Sequence, residues 1–268
     1  VNHIRNTNIA NAYLISGATS LAASAANWSD TNGINANNAT CYIQSGTQTI
    51  TGGLNPNSPT GRHLSRAELT AVIAAAPAST KFWIDETYVE YVGREHSLEA
   101  LAARSSNVVI CKSMSKVYAL SGARAAYLCA PPHLLEGLRA LTPPWAVSLV
   151  AQVAAVAALK DDAYYAGRYA ETHRLRADLE RGMAALGWDV VPGAANFVLA
   201  HLPDAGPDAD AIVKAARAQG VFVRNVGNMG TAFDGRAIRI AVKDRASMSV
   251  ILDVLRRVAA PAVVPIVA

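Results

Sequence analysis

From residue 55 onward, short apolar runs alternate with amphipathic stretches along the chain. Runs typical of buried strands occupy residues 81–85, 107–111 and 125–129. Their continuous apolar character is typical of a sheet that is covered on both faces. Residues 65–68 read Ser-Arg-Ala-Glu, a capping box, and apolar residues follow it at helical spacing. The alternation predicts an α/β fold.

The last third of the chain repeats this alternation and predicts a second, smaller α/β unit. Two long helical stretches, at about 147–160 and 162–186, precede this unit, and we expect the boundary within them. The predicted elements of the second unit are strands at 188–191, 196–201, 221–224 and 237–242, and helices at 208–219 and 244–258.

Composition changes abruptly near residue 54. Residues 1–54 contain two charged side chains, Arg5 and Asp30, and nine of the fifteen asparagines, whereas the remainder is rich in Ala, Arg and Val. A fused, truncated or poorly determined N-terminal segment and a polar surface region of one domain explain this break equally well.

The averages over all 268 residues exclude several classes of protein. With 51% apolar and 16% charged residues, the chain is not of the disordered class, and no 18-residue apolar run predicts a membrane helix. We also find no secretory signal. Three cysteines without CxxC spacing favour a reducing, cytoplasmic compartment and argue against a structural metal site. A net charge of +4 with dispersed arginines does not predict a nucleic-acid surface.

Three polar clusters are predicted at successive strand ends. They are NPNSPTG at 55–61, DETY at 85–88, and SMSK at 113–116 with Gly-Ala-Arg at 122–124. Ligands of parallel α/β sheets bind outside the carboxyl ends of the strands, so these residues would build an anion and cofactor site. Each cluster alone also fits an ordinary turn or surface role, and only their combined order and spacing favour a site.

Together these motifs resemble the pyridoxal 5′-phosphate (PLP)-dependent aminotransferases of class I and II, which have fold type I. Within them, the chain is most similar to the histidinol-phosphate aminotransferase branch. The resemblance implies a PLP-dependent transferase fold of the α/β class. Its large domain has a mostly parallel sheet with helices on both faces, and a smaller C-terminal α/β domain follows. It implies an atypical, shortened N-terminal part over 1–54, a large PLP-binding domain over 55–165 and a small domain over 166–268.

The resemblance also implies roles for individual residues. Lys116 would form the Schiff base with the cofactor aldehyde and shuttle a proton during the reaction. Asp85 would pair with the pyridine nitrogen, and Tyr88 would hydrogen-bond the ring hydroxyl. The phosphate would be held by Ser113, Ser115 and Arg124.

One position departs from the family pattern. The family has Asn immediately before Pro-Thr-Gly, where its amide also binds the ring hydroxyl, and this chain has Ser58. A hydroxyl donates too but reaches less far, and Asn57 is the alternative donor.

A second phosphate contact is expected nearer the N-terminus. Residues 13–21 resemble the family's strand–glycine–helix turn, in which backbone N–H groups of Gly17, Ala18 and Thr19 would cradle the phosphate. Only 41 positions separate Gly17 from Ser58, which is fewer than the family has.

The second unit resembles the family's substrate-binding part. Arg239 matches the arginine that clamps the substrate carboxylate, and Asn196 matches a position beside it. Arg224 has only its position at a predicted strand end, where a contact with the substrate and a surface role both fit.

The function that the resemblance implies is amino transfer between an amino acid, or a similar metabolite, and a 2-oxo acid by a ping-pong mechanism. The resemblance also implies a homodimer. Another PLP reaction on the same fold (a decarboxylase, lyase or racemase) stays open, and so does a catalytically impaired remnant.

Overall fold

A computed structural model of the chain describes residues 2–6, 9–14, 41–45, 48–140, 142–230 and 233–259. The chain divides into two compact units, and the second takes four residues from the middle of the first. The first unit comprises Val1–Ser58 and His63–Ala166, and the second comprises Pro59–Arg62 and Gly167–Ala268.

The described residues of the first unit form two sheets. One is an antiparallel pair of β1 (Asn2–Asn6) and β2 (Ile9–Leu14). The other has five strands in chain order, which are β3 (Cys41–Ser45), β4 (Gln48–Leu54), β5 (Thr80–Asp85), β6 (Val108–Ser113) and β7 (Ala126–Cys129). The three strands predicted in this part of the chain are confirmed within one or two residues.

The five-stranded sheet is mixed rather than parallel throughout. The pairings of β4 with β5 and of β5 with β6 are parallel, and both outer pairings are antiparallel. A parallel pair needs a long crossover, which is a helix-containing segment on either side of β5. Between β6 and β7 there is only a loop, residues 114–125, so the chain turns back on itself.

Helices connect and follow the strands of the first unit. They are α1 (Arg66–Ala75), α2 (Glu99–Ala102), α3 (Pro132–Arg139) and α4 (Leu149–Lys160). The capping box before α1 is confirmed, because the Ser65 hydroxyl accepts from Glu68 N at 3.2 Å and Glu68 Oε2 accepts from Ser65 N at 2.7 Å. The long helix α5 (Asp162–Ala184) runs from the first unit into the second.

The core of the first unit fixes the two central strands. Phe82 and Ile84 of β5 pack with Val108 and Ile110 of β6, and residues of α1 and α2 cover them. Burial of such side chains contributes about 1.5–3 kcal/mol each. This packing therefore holds β5 and β6 in place next to the residues at their carboxyl ends.

The second unit has a four-stranded antiparallel sheet in the order β10–β11–β9–β8. Its elements are β8 (Asp189–Val191), β9 (Phe197–His201), α6 (Ala209–Ala218), β10 (Arg224–Asn225), β11 (Ala237–Ala241) and α7 (Arg245–Ala259). Its core joins Leu179 and Met183 of α5 to Ile238 and Ile240 of β11.

The strand predicted at 221–224 is wrong for three of its four residues. Only Arg224 belongs to a strand, the two-residue β10. Gly220 has a left-handed φ of 79°, and the N–H of Val221 donates back to Ala216 O at 3.0 Å. This bond closes the end of α6, so the backbone donor of Val221 serves the helix and not a sheet.

Within the described ranges, no helix is both long and apolar enough to cross a bilayer. Across the same residues, no group of three or more His, Cys, Asp or Glu side chains has an arrangement that would hold a metal ion.

Candidate active site

The parallel register brings the ends of three strands to one edge of the sheet. Leu54 of β4 lies opposite Asp85 of β5, and Asp85 lies opposite Cys111 of β6. Two backbone hydrogen bonds continue this edge beyond the strands, from Asn55 N to Asp85 O and from Glu86 N to Cys111 O, both at 2.9 Å. The NPNSPTG, DETY and SMSK motifs therefore all leave the sheet at the same edge.

A chain of hydrogen bonds joins the DETY and SMSK motifs. Asp85 Oδ1 accepts from the backbone N–H of Thr87 at 2.9 Å and from its hydroxyl at 2.5 Å. Thr87 Oγ1 in turn accepts from Ser113 N at 3.2 Å. The hydroxyls of Ser113 and Ser115 are 2.8 Å apart. The structure thus brings Asp85, Ser113 and Ser115 together, and Thr87 is the connection that the sequence did not predict.

The Asp85 carboxyl has an environment suited to a cationic partner. Burial raises its pKa above the usual range, and the hydrogen bonds from Thr87 oppose that shift. A positive charge beside the carboxyl would favour its ionised form.

Lys116 lies in a short turn whose neighbours anchor it. Its side chain is exposed, whereas Val117 and Tyr118 directly after it are 4% and 2% exposed. Met114 N donates to Ala125 O, and the Met114 carbonyl oxygen accepts from Leu120 N, both bonds at 3.0 Å. The lysine therefore projects from a closed loop at the end of β6.

Arg124 lies at the other end of the same loop. Its φ of 55° is in the left-handed region, which is uncommon for a residue with a side chain. Its Nη1 donates to Ser121 O at 3.0 Å, and the side chain is exposed. Because Ser113 pairs with Ala126 across β6 and β7, the backbone of Arg124 lies close to the SMSK turn.

The NPNSPTG turn is fixed by its first residue. The side-chain amide of Asn55 donates to Leu64 O at 2.9 Å, and its carbonyl oxygen accepts from Leu64 N at 2.8 Å. Asn57 is buried, and Ser58 is half-buried.

Tyr88, 7% exposed, directly precedes a 3₁₀ turn at Val89–Tyr91. Gly17, Ala18 and Thr19 lie outside the described residues.

The predicted substrate residues belong to the second unit. Arg239 of β11 lies opposite Leu199 of β9, and its guanidinium stacks over the Phe197 ring at 4.7 Å. Asn196 directly precedes β9, and its carbonyl accepts from Val242 N at 2.9 Å. Arg239 is therefore held within β11, and Asn196 is held at the start of β9 by its backbone bond to Val242.

Arg224 lies directly opposite Arg239 in the pairing of β10 with β11. Directly opposite residues of an antiparallel pair share one face of the sheet, and like charges there are unfavourable on their own. An anionic ligand would relieve that repulsion.

The end of the NPNSPTG motif packs against the segment before β9. Ala194 N donates to Gly61 O at 2.8 Å. A Cβ added at Gly193 would lie 2.8 Å from Thr60 O and 3.1 Å from the Cα of Gly61. Both neighbours are backbone atoms, so only glycine fits at position 193.

The variant Gly193→Ala is therefore expected to lower the free energy of unfolding by about 1–3 kcal/mol, because the new methyl group overpacks a backbone contact. Denaturant-induced unfolding measures this loss. Gly167→Ala is the control, since this helical glycine has nothing within 4 Å of an added Cβ, and the change should stabilise by up to about 1 kcal/mol. Equal stability of the two variants would contradict the close packing at Gly193.

A charge cluster around the buried Lys112, directly before Ser113, was not predicted from the sequence. Lys112, 3% exposed, has its Nζ 2.9 Å from Glu90 Oε1, 3.5 Å from Glu99 Oε1 and 3.6 Å from Glu86 Oε2. We call these four residues the Lys112 cluster. Burial lowers the pKa of Lys112, but the surrounding carboxylates, Glu90 foremost, outweigh burial and the net shift is upward. A lysine that ends the otherwise apolar run of β6 is the signal that would have revealed the cluster.

The chain is similar to known proteins in both sequence and structure. The family model described as "Aminotransferase class I and II" matches residues 11–255. The histidinol-phosphate aminotransferase of Anaeromyxobacter sp. (strain Fw109-5) is 40% identical over 190 residues, which are 70% of this chain and 51% of that protein. The aromatic amino acid aminotransferase of Corynebacterium jeikeium (strain K411) is 35% identical over 218 residues, or 78% of this chain and 55% of that protein. The chain thus spans about half the length of the curated relatives that it matches.

Solved structures of similar proteins have a similar fold. The histidinol-phosphate aminotransferase from Sinorhizobium meliloti, in complex with pyridoxal-5′-phosphate, has a TM-score of 0.71 at 28% identity. That match covers 78% of this chain and 57% of that one. The L-threonine-O-3-phosphate decarboxylase from Porphyromonas gingivalis has a TM-score of 0.69 at 25% identity, with 78% and 63% covered.

Proposed function

The chain belongs to the class I and II aminotransferases, and from this premise we propose that it is a PLP-dependent aminotransferase of the histidinol-phosphate aminotransferase type. The proposed reaction moves an amino group between an amino acid or a similar metabolite and a 2-oxo acid, in ping-pong order. The observation that carries the proposal is the hydrogen-bond chain from Asp85 through Thr87 to Ser113 and Ser115. This chain unites two of the family's motifs at one sheet edge.

The residues at this edge fit PLP by their chemistry. The Asp85 carboxyl suits a protonated ring nitrogen, because that positive charge would offset the burial that raises the carboxyl's pKa. Two adjacent hydroxyls and an arginine suit a phosphate, and a lysine amine suits an aldehyde. Membership of the family and the PLP complex of the Sinorhizobium protein support the same cofactor. When bound, PLP supplies an electron-withdrawing ring that stabilises negative charge at the substrate Cα.

Each residue then has a defined task. Lys116 would hold the cofactor through its Nζ. Once the amino substrate has displaced it, the same amine would move a proton from the substrate Cα to the cofactor carbon that carried the aldehyde. Asp85 would keep a proton on the ring nitrogen, and Tyr88 would hydrogen-bond the ring hydroxyl. The other proposed cofactor contacts are those of Ser113, Ser115 and Arg124 with the phosphate, and of Asn57 or Ser58 with the ring hydroxyl.

The remaining assignments are also proposals. The backbone of residues 17–19 would complete the phosphate site. Residues 1–54 and 55–165 would form the cofactor domain, and 166–268 the small domain. The family resemblance supports a homodimer. The sparse cysteines support a cytoplasmic location.

Arg239 is proposed to bind the substrate carboxylate, with Asn196 beside it. Removing a charged hydrogen-bonding group costs about 1.5–3 kcal/mol, so Arg239→Ala should raise KM for the carboxylate substrate by about ten- to a hundred-fold. Steady-state kinetics measures this change. Arg217→Ala, an exposed arginine of α6, is the control and should leave KM unaltered. An unchanged KM in Arg239→Ala would place carboxylate binding elsewhere.

The proposed activity is tested by mixing the PLP-loaded protein with histidinol phosphate and 2-oxoglutarate and measuring glutamate formation. Ping-pong order predicts parallel lines in double-reciprocal plots. Bound PLP without amino transfer from histidinol phosphate or from any of a panel of amino acids would contradict an aminotransferase.

A decarboxylase is the second candidate, because of the similarity to the L-threonine-O-3-phosphate decarboxylase structure. Release of carbon dioxide from an amino acid, with the amino group retained in the product, would favour this candidate. A protein that takes up no PLP would favour a remnant without catalysis.

A further inference from the structure

The Lys112 cluster is attached to both ends of the DETY segment. Glu86 directly follows Asp85, and Glu90 lies two residues after Tyr88. Lys112 approaches both glutamates and directly precedes Ser113. One buried cation therefore connects the neighbours of three proposed cofactor-binding residues.

Glu86 is held from several directions. The residue is 0% exposed, and its Oε2 accepts from the Ser97 hydroxyl at 2.6 Å while Oε1 accepts from Leu98 N at 2.7 Å. Its own backbone N–H donates to Cys111 O at 2.9 Å. The residue after Asp85 is thus fixed by backbone and side chain alike.

Lys112 holds strand β6 from one side. Successive strand residues point to opposite faces, so Lys112 and Ser113 project to opposite sides of the sheet. The Lys112 ammonium reaches Glu90 at 2.9 Å, and Glu99, which approaches at 3.5 Å, also accepts from the Tyr127 hydroxyl of β7 at 2.8 Å. The cluster therefore links β6 to β7 and to the turn after Tyr88.

Such a cluster is a poor way to stabilise a fold. Burying charges costs desolvation free energy, and apolar replacements of similar volume are often as stable. The Glu90 carboxylate oxygen Oε2 is buried and has no hydrogen-bond partner within the described part of the chain. A geometric role explains the charges better than stability does.

Resting on the proposed function, we propose that the Lys112 cluster is a positioning device for the cofactor. The ion pairs of Lys112 with Glu86 and Glu90 fix Asp85, Tyr88 and Ser113 relative to one another before PLP arrives. None of the four cluster residues needs to touch the cofactor. Their contribution is to hold the contacting groups in one arrangement, because a site that is ordered in advance loses less conformational entropy when its ligand binds.

The test is the affinity of this chain for PLP, measured by absorbance titration at a temperature where every variant is folded. Lys112→Met should bind PLP about ten- to a hundred-fold more weakly, and Lys112→Arg, which restores the charge, should stay within about three-fold of the unsubstituted protein. Val108→Ala is the matched control. It is a buried residue of the same strand, and its loss should lower the melting temperature without changing PLP affinity.

Wild-type affinity in folded Lys112→Met would overturn the positioning role, and so would an arginine variant as weak as the methionine variant. If Lys112→Met does not fold, Glu90→Gln decides the matter, because it keeps the side-chain size and leaves the pair of Lys112 with Glu86. An affinity loss of about three-fold or more in Glu90→Gln supports the proposal, and wild-type affinity overturns it. Failure of the unsubstituted protein to bind PLP would instead overturn the proposed function, and this inference with it.

Discussion

Replacing Lys116 by alanine is expected to abolish amino transfer while leaving the protein folded. The side chain is exposed, and the packing of its turn comes from the buried residues Val117 and Tyr118. Under the proposed function, loss of the amine would remove both the attachment of PLP and proton transfer at the substrate Cα. Proton transfer alone contributes about 10²–10⁴-fold to the rate, so kcat should fall by at least that factor. Turnover assays and circular dichroism measure the two effects.

The control for this variant is Lys160→Ala, which removes an exposed lysine at the end of α4 in the same unit. It should retain full turnover. Appreciable turnover in Lys116→Ala would mean that another group carries the cofactor.

The variant Asp85→Asn should keep PLP bound and lose most of its turnover. The asparagine carbonyl oxygen still accepts from Thr87, so the local hydrogen bonds survive while the negative charge is lost. Under the proposed function, the ring nitrogen would then not be held protonated, and transition-state stabilisation would fall. We expect kcat to drop by on the order of 10²–10³-fold, as for other single electrostatic contacts of an active site. Single-turnover kinetics with the PLP-loaded protein measures the drop.

Asp189→Asn, at an exposed position of β8, makes the same chemical change away from the site and should behave like the unsubstituted protein. Unaltered turnover in Asp85→Asn would remove Asp85 from the proposed catalytic set.

The sequence predicted those parts of the site that depend on local pattern. Apolar runs marked β5 and β6, and the polar residues after each run identified Asp85 and Ser113. Because parallel strands end at a common edge, the expectation that these residues lie together needed no knowledge of the register. The capping box at Ser65 is equally local, and it was predicted correctly.

Features that depend on how the strands pair could not be predicted from local sequence pattern. Thr87 connects Asp85 to Ser113 only because β5 and β6 are paired in a particular register. The Lys112 cluster joins residues up to 26 positions apart, and its burial depends on which face of β6 points inward. The strand predicted at 221–224 was wrong because apolar character did not reveal that the N–H of Val221 closes a helix.

Attachment of PLP to Lys116 is the proposal on which the other assignments depend. The most direct measurement is to incubate the protein with PLP, reduce it with borohydride, digest it, and locate the phosphopyridoxyl group by peptide mass spectrometry. We expect the group on Lys116, in the peptide that contains Ser-Met-Ser-Lys. A label on another lysine, or no label at all, would contradict it.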